Sequence, residues 1–405
     1  MKKNRFFSIG GQVNNSSAQS VKALERAICA IRKFDMNTIA VPLYWYQIEP
    51  EEGHFCFEQI DMVLEQAEEN DLKVVFLWFG SWKNGASHYT PVWVRCDRKR
   101  FPRAKNYAGA DTRILSPIGM ASRDADAGAV AAVLRYIRSQ DAQERVIAFQ
   151  VENEPGLLGT PRDYSAEAQA LFDGLLPEDM ERFLQTLKQG EIYRAWEKQG
   201  FPHKGSWREC FGLIAEEIFS AYYFARYIDA VAAAGKAEYD LPMYVNVWVM
   251  ETENRLPGID YPSGGATSLA LDVWKYFAPH IDRICPDIYF EDRDMYEYIC
   301  GQYRRPDNEL YIPESHADDQ NALYLFTAIE KFNLTGIHCF AIDSTIDNNG
   351  ELRPECEGYR RSVQILSSMR PLLEKYLGSG RIYAVAQYEC MSSQFFDFGD
   401  YWGRV

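Results

Sequence analysis

The chain has little of what metal, phosphate or membrane chemistry requires. Its 405 residues include six histidines, no H-E-x-x-H, no C-x-x-C pair and no glycine-rich phosphate loop beside a lysine, so no metal and no organic cofactor is expected. No apolar stretch approaches the roughly 20 residues of a membrane span. The first residues, MKKNRFFSIGGQ, place basic residues before only about five apolar ones, short of the roughly 7 to 15 of a secretory core. We therefore expect no signal peptide and no membrane partner. Basic charge is in deficit, 43 Lys and Arg against 58 Asp and Glu, a formal charge of -15. Phosphate-rich partners would be repelled, which argues against nucleic acid and favours a neutral ligand. The nine cysteines are odd in number and scattered. They read as free thiols in a reducing, cytoplasmic compartment.

What is present is a repeated strand-then-helix pattern in a chain that is 47% hydrophobic and 14% aromatic. Apolar runs occur at Phe6 to Gly10, Thr38 to Tyr46, Lys73 to Gly80, Arg145 to Val151, Met243 to Val249, Arg283 to Phe290, Leu310 to Pro313 and Gly336 to Ile342. Amphipathic segments follow them, among them Ala18 to Phe34, Phe57 to Asn70, Ala125 to Gln140, Cys210 to Ala234, Ser268 to Phe277 and Asn321 to Phe332. Eight buried strands alternating with helices predict a parallel sheet closed on itself, a (β/α)8 TIM barrel of the α/β class. We place it in residues 1–372. Long connections after the third strand (Ser81 to Asp124) and the fourth (Gly156 to Ser206) are expected to wall the active face. Residues 373–405 read as a short C-terminal β extension: an edge addition, or the first hairpin of a truncated accessory domain.

Two glutamates close apolar runs at strand ends. Glu154 ends AFQVENEPG and Glu314 lies in ELYIPES, about 160 residues apart. Strands four and seven of one barrel would put both on a common face. A pair of carboxyls so placed suits glycoside hydrolysis, which needs one group to protonate the leaving oxygen and another to attack the anomeric carbon or activate water. Glu152 competes with Glu154, since strand parity points both the same way. Pro155 and Gly156 favour Glu154 at the edge, and Glu152 reads as half of a buried ion pair with a partner such as an arginine. Glu49, Glu51 and Glu52 read as a surface turn. Asp287 and Glu291 flank Tyr289 and are candidates for binding hydroxyls. The aromatic residues Tyr44, Trp45, Tyr46, Trp78, Trp82, Trp248 and Tyr289 gather at predicted strand ends, where rings can stack on sugar C–H faces.

The blocks GGQVNNSSA, PLYWYQIEPEEGHFCF, LWFGSWKNG, FQVENEPG, YPSGG with LDVWK, CPDIYF and YIPES, in this order, resemble family 35 β-galactosidases, specifically the bacterial branch carrying an extra C-terminal domain. They are similar, more loosely, to family 42 β-galactosidases of the same clan, clan A of the glycoside hydrolases. The resemblance implies a retaining mechanism with Glu154 as acid/base and Glu314 as nucleophile, and places Asn153 and Tyr289 at the sugar ring. Tyr44, Trp82 and Trp248 join them as candidate substrate-binding residues. The expected activity is an exo-β-glycosidase acting on a small oligosaccharide or glycoside, with β-galactosidase first. Glucosidase, mannosidase or arabinopyranosidase specificity, a transglycosylase and a non-catalytic carbohydrate-binding barrel are the alternatives. Assembly as a homo-oligomer is compatible with this reading.

Overall fold

The computed structural model describes residues 6–252, 254–385 and 392–404. Its strands are β1 (Ser8–Gln12), β2 (Thr38–Tyr44), β3 (Lys73–Phe79), β4 (Arg103–Lys105), β5 (Asp111–Leu115), β6 (Val146–Gln150), β7 (Met243–Trp248), β8 (Arg283–Asp287), β9 (Gly336–Cys339), β10 (Phe395–Asp397) and β11 (Trp402–Arg404). Seven form one parallel sheet in the order β8-β7-β6-β3-β2-β1-β9. Helices cover this sheet, so strands such as TIAVPLY are buried along their whole length and read as unbroken apolar runs.

The expected seventh strand, Leu310 to Pro313, is not regular. It sits between the two edge strands through single parallel bridges, Ile312 with Ile337 of β9 and Ile288 with Ser315. The Ile312 N–H donates to Gly336 O at 3.1 Å and the Ile288 N–H donates to Glu314 O at 3.0 Å. Pro313 has no N–H to contribute, so the ladder is interrupted beside the residue that carries Glu314.

The helical segments fall near their expected places, at Val21–Phe34, Glu58–Glu69, Met120–Gln140, Ala215–Glu238, Leu271–Phe277 and Asp319–Phe332. The Val21–Phe34 helix starts where the Ser20 side chain accepts the Ala23 N–H and ends on Asp35 in the left-handed region. Helices also form at Arg293–Tyr303 and Glu357–Tyr376. The latter crosses residue 372 and precedes the antiparallel hairpin β10–β11. Part of the expected strand RIYAVAQYEC lies outside the described residues, and residues 381–385 form no strand.

The first long insertion folds as a short helix, Val92–Cys96, and the antiparallel pair β4–β5. Its basic run is consumed internally: Arg100 pairs with Glu52, Arg98 with Asp111, and Arg103 donates to the carbonyls of Phe101 and Val94. Eight cysteines are described, all free, five of them buried. Among the described residues no helix is long and apolar enough to cross a membrane.

Candidate active site

Beyond Gln150 the chain leaves regular strand geometry. Glu152 and Glu154 both adopt left-handed backbone, at φ of 62° and 46°, so strand parity does not govern them. The turn is held by the neighbouring segment after β3. Asn153 N–H donates to Trp82 O at 3.2 Å, Asn84 N–H to Asn153 O at 3.0 Å and Gly85 N–H to Glu154 O at 3.1 Å. From β7, Asn246 Oδ1 accepts the Glu154 N–H at 2.9 Å. These bonds offset a backbone cost of order 1 to 3 kcal/mol per strained residue. Gly156 completes the turn; a Cβ there would lie 2.6 Å from Pro262.

Glu314 is held by donors from three strands or strand ends. Gln12 Nε2 donates to its Oε1 at 2.9 Å, Asn246 Nδ2 approaches the same oxygen at 3.4 Å, and the Tyr289 hydroxyl donates to Oε2 at 2.7 Å. Asn246 Nδ2 also donates to Asp287 Oδ2 at 2.7 Å. Glu154, Asp287, Tyr289, Glu314 and Trp248 line one cavity of about 520 Å³, with Lys83 and Asn84 on its wall. The environments of the two glutamates differ. Burial, and then the charge of Glu314, push the Glu154 carboxyl up to about 7, with the Lys83 ammonium opposing the shift. Burial and the Glu314 charge raise the Tyr289 hydroxyl far above its ordinary range, which keeps it a donor.

Several expected residues are elsewhere. Tyr44 is fully buried, donates to Asn15 O and packs against Tyr46, Phe79 and Tyr89. Trp82 is equally buried, donates from Nε1 to Leu115 O and meets Phe224 and Tyr227 edge-on. Asn153 has no exposure and does not line the cavity; its Oδ1 accepts from Gln150 Nε2. These three follow a strand end closely enough to turn inward beneath the rim. Trp248, by contrast, is 37% exposed at the cavity.

Among the described residues Glu152 has no cationic partner. Its oxygens accept the Ser81 and Trp82 N–H groups at 3.0 and 2.7 Å, and its carboxyl meets that of Asp126. Burial, followed by the Asp126 charge, raises Glu152 well above the usual carboxylate range. Glu49 is also buried, accepting Trp45 Nε1 and the Gly53 N–H, and does not lie on a free surface turn. Of the first insertion only Lys83 and Asn84 reach the cavity, and of Gly156 to Ser206 no residue does; the other walls come from the segments after β7, β8 and β9 and around Glu314. Gln12, Asn246, Lys83 and His316 were not anticipated. An amide isolated in an apolar strand, as in MYVNVW, is the signal that marks Asn246. Among the described residues no three His, Cys, Asp or Glu side chains are arranged to hold a metal ion.

The α/β fold, with its curled seven-stranded parallel sheet, is similar to that of several glycoside hydrolases of known structure. The catalytic domain of a β-amylase from Paenibacillus polymyxa superposes with a TM-score of 0.66 at 10% identity, over 90% of this chain and 99% of that one. β-Galactosidases from Bacillus circulans sp. alkalophilus and Rahnella sp. R3 give TM-scores of 0.63 and 0.60 at 12% and 17% identity, over 92% and 93% of this chain. The chain spans 57% of the length of each of these two β-galactosidases. At such identities the likeness is one of fold. In sequence, residues 15–107 match the model of glycoside hydrolase family 42, described as β-galactosidase. No curated protein sequence matches. The matched stretch holds Lys83 and Asn84 but neither Glu154 nor Glu314. The likeness to family 35 rests on the seven sequence blocks alone. Match and fold together support a glycosidase.

Proposed function

We propose that the chain is a retaining exo-β-glycosidase that releases a terminal β-D-galactose, with Glu314 as nucleophile and Glu154 as acid/base. The observation that carries this reading is the contrast between the two glutamates. Three donors converge on Glu314, the surroundings of a carboxylate. Glu154 is buried and raised to about 7, the condition for a carboxylic acid that still holds its proton near neutrality. In the first step Glu314 attacks the anomeric carbon while Glu154 protonates the departing oxygen. In the second, the Glu154 carboxylate takes a proton from water, which displaces Glu314. Galactose is preferred on the family 42 match, and Trp248 is placed to stack on the sugar or its aglycone.

A panel of nitrophenyl β-glycosides, followed by proton NMR of the first product, tests the reading. The β-anomer should appear first. Glu314→Gly should abolish turnover, and azide should restore it as an α-glycosyl azide. No turnover on any β-glycoside, or an α-anomer as first product, would sink it. In a crystal the catalytic carboxyls should stand about 5 to 5.5 Å apart.

A further inference from the structure

Two carboxyls suffice for the chemistry above, yet Asp287 and Glu251 also line the cavity. Asp287 is 3% exposed, ends β8 and lines the same wall as Glu154 and Glu314. Asn246 ties all three together: Oδ1 takes the Glu154 N–H, and Nδ2 lies between Asp287 Oδ2 and Glu314 Oε1. Having spent its donors there, Asn246 leaves Asp287 Oδ1 buried and without a partner among the described residues. Glu154 is in the complementary situation. No amide, hydroxyl or ammonium of the described residues bonds to its side-chain oxygens, and the group within hydrogen-bonding reach is the carboxyl of Asp287. Two carboxyls in contact, with no donor between them, require a proton to hold them together.

From this geometry we propose that Glu154 and Asp287 share one proton, and that Asp287 is the positioning partner that keeps this proton on the acid/base residue. This rests on the assignment of Glu154 above. In the glycosylation step the shared proton passes to the departing oxygen as the C–O bond breaks, leaving Glu154 and Asp287 both as carboxylates near the Lys83 ammonium. When water attacks the glycosyl-enzyme, its proton returns to the pair, so no net charge is lost over a cycle. The surroundings favour this arrangement. Burial, then the charges of Glu314 and Glu154, raise Asp287 well above the carboxylate range, and the Lys83 ammonium opposes them. The other titratable neighbours are Tyr289, Tyr244 of β7, Tyr303 and Cys285. Glu251 and His316 stand on the cavity wall.

The test is the pH dependence of kcat/KM on two substrates, one with a poor leaving group such as an alkyl β-galactoside and one with dinitrophenolate, which departs without protonation. On the alkyl substrate Asp287→Asn should move the alkaline limb down by about one pH unit or more, because an amide removes the second carboxylate that holds the shared proton on the pair. On the activated substrate the limb should stay in place. An unmoved limb on the alkyl substrate, or equal movement on both, overturns the proposal. Carboxyl ¹³C NMR of the wild-type protein gives a readout independent of any variant's folding: Glu154 and Asp287 should titrate in the same two steps, and separate single-step curves overturn the shared proton. Glu154→Gln separates the two levels. If it spares kcat/KM on the alkyl substrate, the assignment of Glu154 fails; if it does not, and Asp287→Asn leaves the limb alone, only the shared proton fails.

Discussion

Trp248, at the end of β7, and Glu152, just beyond β6, show how differently residues at strand ends can act. Trp248 presents its ring to the cavity at 37% exposure. Trp248→Ala should raise KM by roughly three- to tenfold, the worth of one aromatic stack, with kcat less affected; an unchanged KM would remove it from the binding surface. Glu152 is two residues from Glu154 but faces away from the cavity, accepting two backbone N–H groups. Glu152→Ala should cost about 2 to 4 kcal/mol in denaturant unfolding, because both donors would be left buried without an acceptor. Sequence alone placed the glutamates at strand ends but could not orient them. Left-handed φ at non-glycine residues has no composition signal, and Glu152 sits against Asp126 only once the Met120–Gln140 helix has packed. Tyr44 and Trp82 were misplaced for the related reason that a ring at a strand end can point to the rim or beneath it.

At the level of elements, strand positions were legible because strands buried on both faces become long apolar runs, and the seven regular strands fall where those runs lie. At Leu310 to Pro313 only single bridges form, and Pro313 has no N–H to add to them. The glycines of β1 set how closely it approaches its neighbours. A Cβ on Gly11 would lie 2.6 Å from Ile342, whereas a Cβ on Gly128, inside the Met120–Gln140 helix, would meet nothing within 4 Å. Gly11→Ala should therefore destabilise by roughly 1 to 3 kcal/mol and lower kcat by displacing Gln12 from Glu314. Gly128→Ala should stabilise by about 0.5 to 1 kcal/mol. Thermal melts and kcat on both variants check the pair; a stabilising Gly11→Ala would contradict the close approach of β1.

For the whole molecule, buried acids set the response to pH. Glu217 is raised to about 7 by burial, moderated by Ser263. The folded protein keeps a proton that the unfolded chain releases near 4.5, so this contribution is complete below 4.5 and is lost as pH rises through 7. The loss is on the order of 3 kcal/mol, and Glu217→Gln should flatten the stability curve between those values. A curve just as steep in the variant would assign the slope to Glu152, Asp126 or Asp287, all raised likewise. We also propose that residues 373–405 are an extension to a catalytic unit in residues 1–372. The exposed aromatic residues of β10–β11, with Trp402 at 75%, agree with an element that adds little to the core. Finally, Gln12 and Glu314 are 302 residues apart and meet side chain to side chain. Loop-closure entropy makes such a contact among the last to be rewarded as a chain collapses. Regain of turnover on refolding should thus trail the burial of tryptophan fluorescence, making catalysis a clock for the closing of the two ends of the chain.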